Sequence, residues 1–359
     1  MEWMLAVVAA VAVFGVLTIG HHAFWSRRLR QPIRDDGIVW ATTRDGWQLA
    51  LGVRRPRGEG RRPPVLLVHG LSSNRWALDS GVESVSLAAH LAGAGFRTFS
   101  LDLRGHGDSR RPPPGARPWN FDHYVDQDVP AALDAIRRET GEDRVLWVGH
   151  SLGAVAGLVT CQLHPERIAA IVAIAGPMHF EADGQVARYL RRGALVDGRF
   201  NRTLALLVAP WAGLANPPAA ELAINGRNVD RAVFRRLLAN GIEDVSGPLF
   251  RQLREWVTKD VCRSEDGARD YRAGLPACRQ PALFLAAPRD PLAPPEVVRA
   301  SFEAWGGPRT YVEFTRVEGY SADYGHTDLL VGRNAAAEVF PVVSGWLASR
   351  SEAAEEGGR

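Results

Sequence analysis

Short apolar runs recur along the chain with amphipathic stretches between them. The runs are Val65 to Val68, Phe96 to Leu101, Arg144 to Val148, Ala170 to Ala175, Ala282 to Ala287 and Tyr311 to Val317. Runs such as Val65-Leu66-Leu67-Val68 do not alternate with polar residues, which is the pattern of strands covered on both faces. Helical periodicity between them predicts helices over Ser84 to Ala94, Asp122 to Glu139, Leu152 to Leu163 and Pro295 to Trp305. Upstream, Ile38 to Thr43 and Trp47 to Val53 read as two strands joined at Asp45-Gly46, a hairpin turn pair. Strands alternating with helices at this spacing predict an α/β fold, with a mostly parallel central sheet flanked by helices.

The alternation stops between Pro177 and Pro276, where helical patterns and loops rich in Gly and Pro carry no clear buried strand. Residues 177–276 are therefore expected to be a helical cap inserted into a core made of residues 27–176 and 277–348. Within the cap, the apolar run Leu204 to Trp211 either lines a pocket or packs the cap onto the core. Residues 349–359 are polar, acidic and small, and are expected to be disordered.

Residues 1–26 read differently. From Trp3 to Gly20 no charge occurs, and at 1.5 Å of rise per residue such a helix reaches about 27 Å, close to a hydrocarbon thickness of about 30 Å. The run is apolar all round, unlike a helix of a soluble domain, which shows a polar face. A transmembrane anchor is the expected reading. The competing one is a cleaved signal peptide and an exported protein, but only Glu2 precedes the run where a basic leader belongs. Arg27, Arg28, Arg30 and Arg34 crowd the carboxyl flank, which places the body of a single-pass protein on the cytoplasmic side.

Composition narrows the partners. Forty-three basic and forty acidic residues leave a formal charge of +3, too balanced for a protein that binds nucleic acid by neutralising phosphates. Lys259 is the only lysine, which fits the codon usage of a GC-rich genome. Cys161, Cys262 and Cys278 are too few and too scattered for a zinc site, and no metal is expected; a Cys262 to Cys278 bridge stays open.

The chemistry lies in Gly149-His150-Ser151-Leu152-Gly153, which follows an apolar strand and opens a helix. That is the context of a nucleophile elbow, where a tight turn projects a serine above the sheet and the flanking glycines let the backbone cross closely. Ser151 is the expected nucleophile. It needs a base and a group to orient that base. Asp290 follows the strand Ala282 to Ala287, His326 follows Tyr311 to Val317, and loops after parallel strands gather at one sheet edge. Asp183 and Asp323 are rival acids. The N–H groups of Leu71 and Leu152 are the expected oxyanion donors, with Gly70 opening space for the substrate and His69 in a structural role.

These motifs, with Asp102-Leu103-Arg104-Gly105-His106-Gly107-Asp108-Ser109, make the sequence resemble the α/β-hydrolase superfamily from Ile38 to Leu347, the cap excepted. The stretch Asp122 to Gly149 and Gly325-His326-Thr327-Asp328-Leu329-Leu330 resemble the branch of acid lipases and polyhydroxyalkanoate synthases. The synthases carry cysteine at the elbow, and epoxide hydrolases and haloalkane dehalogenases carry aspartate, so Ser151 departs from both. The resemblance implies a cofactor-free serine esterase acting on a small acyl ester or a lipid, with Asp102 bracing the loop from Arg104 to Ser109. Acyl transfer on the same triad and a non-catalytic binding module are the alternatives.

Overall fold

A computed structural model describes residues 2–57, 62–191, 198, 200–214 and 218–356. Eight strands form one sheet: β1 (Gly37–Thr42), β2 (Gln48–Arg54), β3 (Val65–Val68), β4 (Thr98–Leu101), β5 (Val145–His150), β6 (Ile168–Ile174), β7 (Ala282–Ala286) and β8 (Arg309–Glu313). Their order is β1-β2-β4-β3-β5-β6-β7-β8. The hairpin β1–β2 joins β4 antiparallel, and every pairing from β4 onward to β8 is parallel. All residues of β3, β4, β5 and β7 are buried, as the unbroken apolar runs require. Helices Leu87–Gly93, Val129–Thr140, Leu152–Leu163, Pro295–Ala304 and Ala335–Glu356 accompany the sheet.

Several boundaries differ from the sequence reading, three of them at the ends of the chain or of the sheet. The last strand is Arg309–Glu313 instead of Tyr311 to Val317, because Thr315 closes the strand by accepting from the Val317 N–H and starts a 3-10 turn, Arg316–Glu318. The first helix runs on to Arg28, beyond the expected end of the anchor at residue 26. At the other end, Ala335–Glu356 is helical and takes in most of the segment 349–359 expected to be disordered; residues 357–359 lie outside the described residues. Ala and Glu recur in that segment, and both are strong helix formers.

Between β6 and β7 the described residues form helices Gln185–Arg191, Asn201–Val208, Pro218–Ala223, Arg231–Asn240 and Gly247–Lys259, with no named strand among them. In the run Leu204 to Trp211, Ala205, Leu206, Ala209 and Pro210 are buried while Leu204 and Trp211 are exposed. The run therefore packs the cap down through one face. The N-terminal helix Glu2–Arg28 has a mean hydropathy of 2.4 over its apolar window, none of which is buried. Cys161, Cys262 and Cys278 are all buried free thiols, so the bridge left open by the sequence is not formed.

Candidate active site

Ser151 sits between β5 and the Leu152–Leu163 helix with φ +53° and ψ −121°, a conformation a non-glycine residue adopts only when its surroundings enforce it. The enforcement is steric. A Cβ on Gly153 would lie 2.2 Å from Val68 O and 2.5 Å from His69 O, and one on Gly149 would lie 2.3 Å from Gly153 O. Helix, elbow and the end of β3 therefore touch backbone to backbone. The Ser151 N–H donates to Ile174 O at 2.8 Å, and Trp147 Nε1 donates to Gly153 O at 3.1 Å, fixing the turn from below. Gly70 meets the nucleophile itself, since a Cβ there would come within 2.9 Å of Ser151 Cβ.

His326 and Asp290 meet as expected. His326 Nδ1 and Asp290 Oδ2 are 2.7 Å apart and both side chains are buried. The other carboxylate oxygen, Oδ1, accepts the N–H groups of Leu292 at 2.9 Å and Ala293 at 2.8 Å, so Asp290 is held in one orientation. The rival acids lie elsewhere. Asp323 caps the turn after β8 through Thr315 Oγ1 and the Arg316 N–H, and Asp183 is fully exposed beside Arg191.

His150 joins the two halves. Its Nε2 donates to the main-chain oxygen of His326 at 3.0 Å, and the two rings lie 4.7 Å apart. The residue before Ser151 thus pins the loop that carries His326, bringing the two to one rim. Among the described residues the Ser151 hydroxyl makes no hydrogen bond, and the Leu71 and Leu152 N–H groups donate to nothing. Leu152 is the first residue of its helix, where an N–H has no intrahelical partner and is available to an oxyanion.

The remaining buried histidines serve the frame. His69 Nδ1 donates to Gly70 O at 2.8 Å and Nε2 accepts the Leu103 N–H at 3.2 Å, which requires the neutral ring. Burial, with His106 alongside, pushes His69 down to about 3, and burial next to His326 does the same to His150. Asp102 accepts the N–H groups of Arg75 at 2.8 Å and Asp108 at 2.9 Å and pairs with Arg75 Nε at 3.1 Å. It braces the loop to Ser109 as the resemblance implied, while burial raises its carboxyl to about 6.

Sequence reasoning missed the contacts through which the cap grips this rim. Glu243, buried in the cap, accepts from Asn74 Nδ2 at 2.9 Å, the Gly107 N–H at 3.1 Å and Arg110 Nη2 at 2.8 Å. Its own N–H donates to Ser72 O at 3.0 Å, and Ser72 Oγ donates back to Glu243 O. Ser72 has φ +54° and directly follows Leu71, so Glu243 holds the strained residue beside the candidate oxyanion donor. On the opposite side Asn225 N and Asn228 Nδ2 donate to Asp328 at 3.1 and 2.8 Å, and Asp328 also accepts the Gly325 N–H just before His326. No local pattern announces these pairs, which join polar residues 100 or more positions apart.

The comparisons agree with this architecture. A family model described as the α/β hydrolase fold matches residues 63–215. Human gastric triacylglycerol lipase is 30% identical over 152 residues, covering 40% of this chain and 37% of the lipase, so the chain spans little more than a third of that relative's length. The poly(3-hydroxyalkanoate) polymerase subunit PhaC of Haloarcula marismortui is 24% identical over 326 residues, covering 86% of this chain and 65% of that one. Among solved structures, one described as a membrane phospholipase A, a bacterial virulence factor, aligns with a TM-score of 0.58 at 18% identity, covering 97% of this chain and 96% of that chain. The chain has the α/β-hydrolase fold, and it is similar to lipases of that fold over part of its length.

Proposed function

We propose that the protein is a membrane-anchored serine hydrolase that cleaves carboxylic esters of lipids or other acyl compounds through an acyl-enzyme. The observation that carries this reading is the 2.7 Å contact between His326 and Asp290 on the rim where the strained Ser151 emerges. In this scheme His326 Nε2 takes the Ser151 proton as Oγ attacks the ester carbonyl. Asp290 keeps the proton on Nδ1 and stabilises the imidazolium. The oxyanion forms against the free N–H groups of Leu71 and Leu152. The imidazolium then protonates the departing alcohol, and the regenerated base activates water, which attacks the acyl carbonyl and returns Ser151. The lipase and membrane phospholipase relatives support an ester substrate, and the exposed apolar helix supports the anchor.

Two measurements test it. Ser151→Ala should abolish labelling by a fluorophosphonate probe and lower turnover of a short-chain ester by about a thousandfold or more, and retention of either would place the nucleophile elsewhere. Removing residues 2–20 should move the protein from membranes to the soluble fraction. Continued membrane association at high salt would assign the anchor to another surface.

A further inference from the structure

The N-terminal helix does not leave the body by a free tether. It packs against the cap helix Asn201–Val208. The Trp25 ring lies under the Arg235 guanidinium, 5.2 Å from its centre. Asn240, on the cap helix Arg231–Asn240, donates to Leu29 O at 2.9 Å and accepts the Gln31 N–H at 3.0 Å. Trp76 Nε1, beside the oxyanion loop, donates to Gln31 O at 3.1 Å. Trp25 follows the last residue of the uncharged run, Gly20, by five positions, or about 8 Å of helix, roughly the depth of one headgroup layer. A cap fastened there lies at the membrane surface as soon as the helix is in the membrane.

The cap presents apolar side chains at that level. Phe200, Leu204 and Trp211 are 61%, 47% and 59% exposed, and Leu214 is 67% exposed. Positions 200, 204 and 211 repeat at helical spacing on one side of the Asn201–Val208 helix and the turn after it, while Ala205, Leu206 and Ala209 on the other side are buried. Arg27, Arg28, Arg30 and Arg34 are exposed around the helix exit, which suits an anionic surface. Large apolar side chains grouped beside an apolar span and ringed by arginines fit the boundary between headgroups and acyl chains.

We propose that the Phe200 to Leu214 face of the cap seats in the headgroup–acyl boundary of the bilayer that holds the N-terminal helix. The active-site cover is then a second membrane contact, and substrate reaches the rim from the lipid surface. The inference deepens the anchoring reading given above and rests on it.

The test uses the full chain reconstituted in vesicles of phosphatidylcholine and phosphatidylglycerol. The native thiols are buried, so a surface cysteine takes an environment-sensitive fluorophore selectively. Labels at Leu204→Cys and Leu214→Cys should shift to the blue and be quenched by lipids spin-labelled near the headgroup. A label at Val317→Cys, a position 90% exposed on the turn after β8, should stay in water. A label at Val13→Cys should be quenched by lipids spin-labelled deep in the acyl chain, which reads the anchor separately.

Cap labels as aqueous as that at 317, with Val13 quenched, overturn the proposal and leave the anchor standing. A blue shift without lipid quenching that fades on dilution into excess lipid assigns the face to a second copy of the chain and also overturns it. A Val13 label that escapes the deep quencher removes the anchor on which the proposal rests, and overturns it as well. In the supporting case, Leu204→Glu with Trp211→Glu should lower turnover of a vesicle-borne long-chain ester by about tenfold while a soluble short-chain ester is turned over as before.

Discussion

The elbow and the cap hold the same rim in opposite ways. Around Ser151 the restraint is backbone against backbone: Gly149 and Gly153 leave no room for even a methyl group, and β3 and β5 are buried throughout. Around the cap the restraint is hydrogen bonding, with Glu243 on the Leu71–Ser72 side and Asn225 and Asn228 on the His326 side. Close packing admits one geometry, whereas polar contacts at a cap edge can break and reform with water at small net cost. The aim of Ser151, the proposed nucleophile, rests on the first kind of support. A cover that admits the proposed substrate would rest on the second.

The largest effect should come from the packed side. Asp290→Asn preserves volume and still lets Oδ1 accept from Leu292 and Ala293, but its amide can present N–H groups to His326 and favour the wrong tautomer. Turnover of a short ester should drop by about ten-thousandfold with the melting temperature nearly unchanged. A fall of less than tenfold would mean that Asp290 does not orient the base, and the comparison would lose its catalytic half.

A smaller and differently shaped effect should come from the cap. Glu243→Ala leaves Asn74 Nδ2 with Asn240 O as its remaining acceptor, strands the Gly107 N–H, and should loosen Ser72 beside Leu71. Losing such buried partners costs about 1–3 kcal/mol, so kcat on a short ester should fall by about tenfold with little change in KM. Glu243→Gln keeps an acceptor oxygen and should restore most of kcat while losing the attraction of the half-exposed Arg110. Equal losses in both variants, or a loss confined to KM, would make Glu243 a simple attachment of the cap without influence on the oxyanion donors.

The same contrast explains what the sequence could show. Strands buried on both faces leave unbroken apolar runs, and an elbow so tight demands glycine at fixed offsets, so β3, β5 and Ser151 were visible as local patterns. Asp290 follows the fully buried β7, whereas His326 follows the edge strand β8, which is only partly buried and shows in the sequence as a weaker apolar run. Glu243, Asn74 and Asn225 sit in loops with no periodicity and Asp328 opens a four-residue helix, so their pairing exists only after the segment between β6 and β7 has folded over the sheet. The end of β8 misled for a related reason: Val317 extends the apolar run in sequence but is 90% exposed in the fold. Hydrophobic periodicity reports burial, and there it reported burial that the turn at Thr315 prevents.

The smallest effect concerns His150, which belongs to both supports because it lies in the packed elbow and holds the His326 loop by a single hydrogen bond. Burial lowers its pKa from about 6.5 to about 3, so the unfolded chain binds a proton that the folded protein refuses between those values. Stability from this group is complete above about pH 6.5 and is lost progressively as pH falls below it. His69 contributes in the same direction, whereas Asp102 and Asp128, both raised to about 6 by burial, take up protons on folding and oppose it over about pH 4 to 6. The difference between wild type and His150→Gln removes the shared terms. Glutamine can still donate to His326 O but does not titrate. Its melting temperature should therefore fall less than that of the wild type between pH 7 and pH 5. Parallel losses in the two proteins would show that His150 is protonated in the folded state, and that the link between elbow and base loop is looser than the packing around it implies.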